Sequence, residues 1–383
     1  MKTIINTNYV KNLFLFALLL LATVAFAQEE EASEEEKSKF SFSGTVDAYY
    51  RANLNGLNKE IPVIENDIQT GLISPTAPGT SFANDPGFAL GMVNLIAGYE
   101  GEKVGFVADL VFGPRGEDAV FGSPFGSPNI VNQLYVYWNV SESTTLTFGN
   151  FNTFLGYEVI SPSANFNYST SYMFSYGPFS HAGLKADFDL GNDWSAMLAV
   201  LNPTDFTDIN PFGELSFGAQ LGYSGQFLNF IYGNQGFNEE LVDGVLTDTD
   251  VSSLFQVDFT GGFDVSEDFF LGINATYQDT DGSGFYGAAL YPQLKTSENF
   301  ALGLRGEYFA TMEGFGDVAG IGSDADGDAN VFAVTLTGSA TIGNLMIKPE
   351  LRLDTASEDV FLDSDLEFNG SLASFVLAAV YQF

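Results

Sequence analysis

The feature that most constrains this chain is a period of two that keeps restarting. In Phe40–Asn53, the residues Phe42, Gly44, Val46, Ala48 and Tyr50 fall on one face, and Ser41, Ser43, Thr45, Asp47, Tyr49 and Arg51 on the other. Successive strand side chains point to opposite sides, so this stretch reads as a strand with one apolar and one wet face. The pattern returns where Leu134, Val136 and Trp138 alternate with Gln133, Tyr135 and Tyr137, and where Ala182, Leu184, Ala186 and Phe188 alternate with His181, Gly183, Lys185 and Asp187. It returns again where Phe332, Val334, Leu336 and Ala340 alternate with Ala333, Thr335, Thr337 and Ser339. About sixteen strands are predicted in all, starting near residues 40, 87, 103, 130, 144, 179, 194, 213, 227, 251, 269, 284, 299, 330, 345 and 371. The alternation is most broken over 227–237 and 284–293.

The connections sort by length. Short turns are expected at 100–103, 141–143, 191–193, 224–226, 264–268, 296–299 and 343–344. Between them lie longer stretches at 54–86, 113–129, 155–178, 202–212, 238–250, 310–329 and 356–370. A soluble sandwich has no reason to alternate in this way. A transmembrane barrel does, with short periplasmic turns and long extracellular loops. The fold expected is therefore all-β: an antiparallel up-and-down barrel of about sixteen strands, a size at which the interior is wide enough for an aqueous channel.

The last nine residues, 375–383, fit this reading. Phe375, Leu377, Ala379, Tyr381 and Phe383 share one face, and the length suits a tilted strand crossing a bilayer. Tyr381 and the terminal Phe383 resemble the C-terminal signal by which outer-membrane barrels meet the barrel-assembly machinery, so both are candidate assembly residues. At the other end, Lys2 and Lys11 precede an apolar run at 13–25, followed by Ala25-Phe26-Ala27. A basic start, a short apolar run and a small-x-small site predict a signal peptide at 1–27, removed on export. Glu29, Glu30, Glu31, Glu34, Glu35 and Glu36 then make 28–39 a solvated acidic tail, and the barrel is expected over 40–383.

Composition narrows the function. The chain has 38 Phe, 17 Tyr and 41 Gly but no long apolar run beyond the leader, as expected of rings set against lipid. The absence of cysteine removes disulfides and thiolate metal sites. A formal net charge of −36 argues against a nucleic-acid partner. No cofactor is expected.

The stretch from 148 to 185 is distinctive: Phe148-Gly149-Asn150-Phe151, Gly156-Tyr157-Glu158, Asn165-Phe166-Asn167-Tyr168-Ser169, then Gly177-Pro178-Phe179-Ser180-His181-Ala182-Gly183-Leu184-Lys185. Over about 130–205 the chain resembles the OmpL-like family of outer-membrane β-barrel porins, and the resemblance implies a channel. One departure is Thr170, where the family pattern carries a basic residue. Read without the family, the nearly uncharged, aromatic loop 155–178 is long enough to be functional. It either folds into the barrel or lies across the rim.

Three other groups were candidates for chemistry. Asp324, Asp326, Asp328 and Asn330 have the spacing of a calcium loop, although Gly327 stands at the fourth place and Thr335 at the twelfth. They are weak metal candidates, and a solvated acidic loop is the simpler reading. His181 is the single histidine, and Ser180 beside it points to the opposite face, so no catalytic pair is formed and no enzyme is expected. Pro349 removes a ladder donor from an otherwise good strand, which predicts a bulge or bend there.

By strand phase, Arg51, Lys185, Arg305, Glu307, Lys348, Glu350 and Arg352 point inward and are the expected pore-lining residues. At roughly 2.5 Å of height per tilted residue, Arg305 and Arg352 fall near mid-barrel. The reading is an integral outer-membrane porin passing small hydrophilic solutes, with mild cation preference. Its partners are membrane lipid, the barrel-assembly machinery, the solutes and, in the case of a homo-oligomer, further copies of the barrel. The alternative is a surface binding or adhesion protein that displays acidic loops on a barrel mount.

Overall fold

Sixteen strands close into a single antiparallel barrel in this computed structural model, which describes residues 39–65, 67–120, 130–242, 245–248 and 250–383. The expected signal peptide at 1–27 and, except for residue 39, the expected acidic tail lie outside the described residues. In chain order the strands are β1 (Phe40–Asn53), β2 (Gly87–Glu100), β3 (Val104–Phe112), β4 (Val131–Ser141), β5 (Thr144–Asn152) and β6 (Ser180–Gly191). Then come β7 (Trp194–Leu201), β8 (Ser216–Tyr223), β9 (Gln226–Asn234), β10 (Ser253–Asp264), β11 (Phe269–Thr280) and β12 (Ser283–Ser297). The last four are β13 (Phe300–Met312), β14 (Ala329–Ile342), β15 (Leu345–Ala356) and β16 (Ser371–Gln382). Every predicted start lies within three residues of the observed one, the largest offset being 213 against Ser216.

Each strand pairs with its neighbour in sequence, and β1 pairs with β16 to close the sheet. At that seam Val46 faces Tyr381, and Gly44 and Phe383 exchange two main-chain hydrogen bonds of 2.9 and 3.0 Å. Closure leaves no unpaired edge, which a chain in hydrocarbon requires. Among the described residues no helix is long and apolar enough to cross a membrane.

The two faces follow the predicted phase. Leu336 is 46% exposed on the outside, whereas Thr335 and Thr337 on either side of it are fully buried. Leu134, Val136, Trp138 and Phe332 likewise face outward. The core therefore sits inside the barrel and the apolar belt outside it.

One end carries seven turns of two to four residues. The other end carries seven long connections and one that departs from the expected sorting: β11 and β12 are joined by Asp281 and Gly282 alone, both at positive φ (54° and 94°). Two such residues form the tight loop that suits the twist of a hairpin. The long connections hold three small hairpins, Ile61–Glu65 with Ile68–Ile73, Glu239–Val242 with Val245–Asp248, and Phe361–Leu362 with Phe368–Asn369. The bend expected at Pro349 is not a bulge. Pairing with β14 lapses opposite Gly338 and resumes at Ala340 and Ile347 in the same register. The ring fits against Gly338, which offers no side chain to displace it.

Candidate functional site

The loop between β5 and β6 folds into the lumen and is fastened there by the wall. A chain segment inside a barrel has no ladder for its N–H and C=O groups, so it needs other partners. The wall supplies them as charges. Carboxylates receive loop N–H groups: Glu307 accepts Tyr172 (2.9 Å) and Met173 (2.8 Å), and Glu350 accepts Tyr168 (2.9 Å) and Ser169 (3.3 Å). Cations donate to loop carbonyls: Arg305 to Ser169 (2.6 Å), Arg352 to Thr170 (2.8 Å), and Lys348 to Pro162 (2.9 Å) and Asn165 (2.5 Å). Bonds with one charged partner are the stronger kind, and here they run from β13 and β15 across the loop's inner half.

The remaining charge is paired. Arg305 also meets Glu158 of the loop at 2.6 Å, and Arg352 forks onto Asp354 of its own strand at 2.8–3.0 Å. On β1, Asp47 sits where the ladder to β2 shifts register. It accepts the Met92 N–H at 3.0 Å and the Tyr168 hydroxyl at 2.5 Å. Burial and the facing Asp47 carboxylate push the Tyr168 phenol well above the ordinary tyrosine range, so it stays protonated and donates.

Glycines in the wall make room for the loop's side chains. A Cβ on Gly303 would lie 2.3 Å from the Phe166 ring, one on Gly272 would lie 2.4 Å from the Tyr157 hydroxyl, and one on Gly218 would lie 2.7 Å from the Phe154 ring. Real side chains do not tolerate such distances, so these positions act as sockets.

The seven side chains expected to line the pore all point inward, but six of them do not meet water. Arg51, Arg305, Glu307, Lys348, Glu350 and Arg352 are each at most 3% exposed. The loop covers the wall on β13 and β15. Arg51 is covered by the first long connection and donates to the carbonyls of Thr76 (3.2 Å) and Asn84 (3.0 Å). Lys185 differs: it pairs with Asp187 at 3.0 Å, and both side chains stay partly exposed.

Several anchors were not singled out from the sequence. Asp258 accepts the Gly156 N–H at 2.9 Å, and Asp205 accepts Phe179 and Ser180 at 2.8 and 2.9 Å where the loop rejoins the sheet. Arg115, in the short helix Pro114–Ala119, donates to the carbonyls of Ile160 and Tyr168 and lies 4.3 Å from the Phe82 ring centroid. An alternating-sign row such as Lys348, Glu350, Arg352 and Asp354 on one inward face was the available signal.

The other candidates resolve simply. Asp324 spends one carboxylate oxygen on the N–H groups of Asp326 and Asp328, shaping its own turn, and the Asn330 N–H goes to Ser357. Among the described residues no group of three acidic, His or Cys side chains is placed to hold a metal. His181 meets the Thr153 hydroxyl at 2.9 Å and packs against the rings of Phe154 and Phe151. Tyr381 and Phe383 face outward at the seam, where Phe383 meets the Phe42 ring at 6.0 Å.

A lumen narrowed by an inward loop is a channel architecture, and residues 39–383 match the family model described as "Putative beta-barrel porin-2, OmpL-like". The chain belongs to that family. As a member of this OmpL-like family it is a channel-forming porin, integral to the outer membrane. Solved structures share the fold. The outer-membrane channel DcaP of Acinetobacter baumannii superimposes with a TM-score of 0.56 at 12% identity, covering 92% of this chain and 100% of that one. A loop-deleted OmpT of Vibrio cholerae gives 0.54 at 11%, covering 90% and 99%. OmpF of Salmonella typhi, in complex with daunomycin, gives 0.54 at 10%, covering 90% and 98%. At such identities the likeness shows the fold. No curated protein matches the sequence.

Proposed function

We propose that this porin passes small hydrophilic solutes by passive diffusion, along the side of the lumen that the loop leaves free. The observation that carries this is the asymmetry of the wall. On β13 and β15 the inward charges are buried under the loop, whereas on β6 Lys185 and Asp187 keep 25% and 40% of their side chains exposed. A space of about 240 Å³ also lies between the loop and β8–β10, bordered by Gln220, Phe227 and Thr260. No step of this mechanism is catalytic. Solutes are sorted by size at the loop and by the few charges still in contact with water.

In this reading the short turns face the periplasm, the segment 1–27 directs export and is cleaved, and Tyr381 and Phe383 present the finished strand to the assembly machinery. Planar-bilayer recording tests the channel: stable ohmic steps that shrink as sugars of rising size are added support it. Silence from a folded, heat-modifiable barrel contradicts it. One observation favours the second reading, a surface-binding barrel. The hairpins at the loop end expose Ile64, Ile68 and Leu72, and Leu241, Val242 and Val245. Silence in the bilayer joined to removal of partner binding by hairpin deletion would select it.

A further inference from the structure

On the turn side of the loop lies a space of about 520 Å³, within the range of ~300–1,000 Å³ that small-molecule sites occupy. Four aromatic rings border it, Tyr157 and Phe166 from the loop and Phe270 and Tyr291 from β11 and β12. Tyr157 and Tyr291 stack on one another at 4.2 Å. Phe166 rests over Gly303 and Phe270 over Gly262, and both rings remain partly open.

The charged groups of the lining are buried and already bonded. Lys348 is answered by the carbonyls of Pro162 and Asn165, and Glu158 by Arg305 (2.6 Å) and the Ser171 N–H (2.7 Å). The Asn167 amide is buried and donates to the Thr337 hydroxyl (2.7 Å). With those groups committed, the partly exposed Gln293 amide and Ser339 hydroxyl supply donors and acceptors without net charge. A dianion finds no free cation here, and a wholly apolar guest leaves the Gln293 amide unmet, which costs free energy. A sugar satisfies both halves, because it has an apolar C–H face for the rings and neutral hydroxyls for Gln293 and Ser339.

We infer that this space is a binding subsite for a neutral saccharide of one or two rings, which would make the porin a facilitator for that solute class. The inference rests on the porin reading for its biological meaning, but its test needs no conductance. The full-length barrel in a non-glycosidic detergent is titrated with maltose and with sucrose by saturation-transfer NMR, beside a polyethylene glycol of matched size. The expected result is saturable sugar binding, absent for the polymer and roughly tenfold weaker in Phe166→Ala, the scale of losing one ring contact. Gln293→Ala, on a wall strand outside the loop, should also weaken it and serves if Phe166→Ala does not fold. Absence of a saturable sugar signal from the folded wild type, or binding that both variants leave intact, overturns the inference. Sugar binding by a barrel silent in bilayers would sink the porin reading and leave the subsite standing.

Discussion

Glu158 and Arg305 meet at 2.6 Å although 147 positions separate them, and their side chains are 3% and 0% exposed. This contact ties the start of the lumen loop to β13, and it is the one ion pair between oppositely charged side chains that joins loop to wall among the described residues. Arg305 adds the Ser169 carbonyl and the Thr335 hydroxyl, so one side chain holds three partners on two elements.

Arg305→Glu should therefore release the loop. Removing one partner of a buried pair costs about 3–5 kcal/mol, and here it also sets two carboxylates face to face. The expected outcome is a larger and noisier single-channel conductance with a lowered unfolding midpoint. Restoring the pair in reverse, Glu158→Arg with Arg305→Glu, should recover part of both. The same reasoning applies to charge reversal at Arg305, Lys348 and Arg352 together. These side chains hold loop carbonyls, so conductance should change more than the zero-current potential.

The sockets give a second prediction. Gly303→Ala should destabilise the barrel by about 1–3 kcal/mol, the usual range for overpacking, because the new methyl meets the Phe166 ring. Combined with Phe166→Ala, most of that loss should disappear. A denaturant titration of the four variants measures the coupling, and additive effects would show that the ring does not occupy the socket.

A third concerns the membrane face. Leu336→Arg should cost about 2–4 kcal/mol, as a cation near the bilayer midplane does. The phase alone suggests that Thr335 and Thr337 would accept Arg, but both are buried and bonded, to Arg305 and to Glu350. Ser195, inward and near the turn end of β7, is the tolerant control. Equal destabilisation by Leu336→Arg and Ser195→Arg would contradict the assigned faces.

A fourth concerns the seam. Deleting Phe383 removes both main-chain bonds to Gly44 and the ring contact with Phe42. We expect much less heat-modifiable barrel in outer membranes, and a similar loss for Tyr381→Ala with Phe383→Ala. Edits in the loop 313–328 should have little effect on insertion.

How much of this was legible in the sequence depends on what alternation can report. It reports which face a residue is on, so sixteen strands, their starts and the inward set from Arg51 to Arg352 could be read directly. It does not report what covers a face. Leucine and threonine at 336 and 337 differ in polarity and reveal their sides, but an arginine facing water and one capping a loop carbonyl look the same in one dimension. The long stretch 155–178 was visible as a loop, and its landing place depended on contacts between residues more than 100 positions apart, such as Tyr168 with Asp47 and Gly156 with Asp258. Gly272 and Gly303 are ordinary strand glycines until the rings above them are known. The Asp281-Gly282 hairpin escaped the sorting by length because it stands at the loop end with the length of a turn.

The central claim is that the 155–178 loop lies inside the barrel and shapes its passage. The chain has no cysteine, so a single pair can be introduced cleanly. A Cβ on Gly287 would lie 3.0 Å from Met173 Cγ, close to the separation that a disulfide sulfur keeps from the opposite Cβ. It would also lie 2.7 Å from the Tyr308 carbonyl oxygen, so β12 must shift slightly to take the cysteine, and the reduced double variant has to be shown folded first. The most direct measurement is the single-channel conductance of Met173→Cys with Gly287→Cys, before and after oxidation. A loop already seated against β12 predicts that the cross-link forms readily and leaves conductance unchanged. A folded barrel that does not cross-link, or one whose conductance falls on oxidation, would contradict the account.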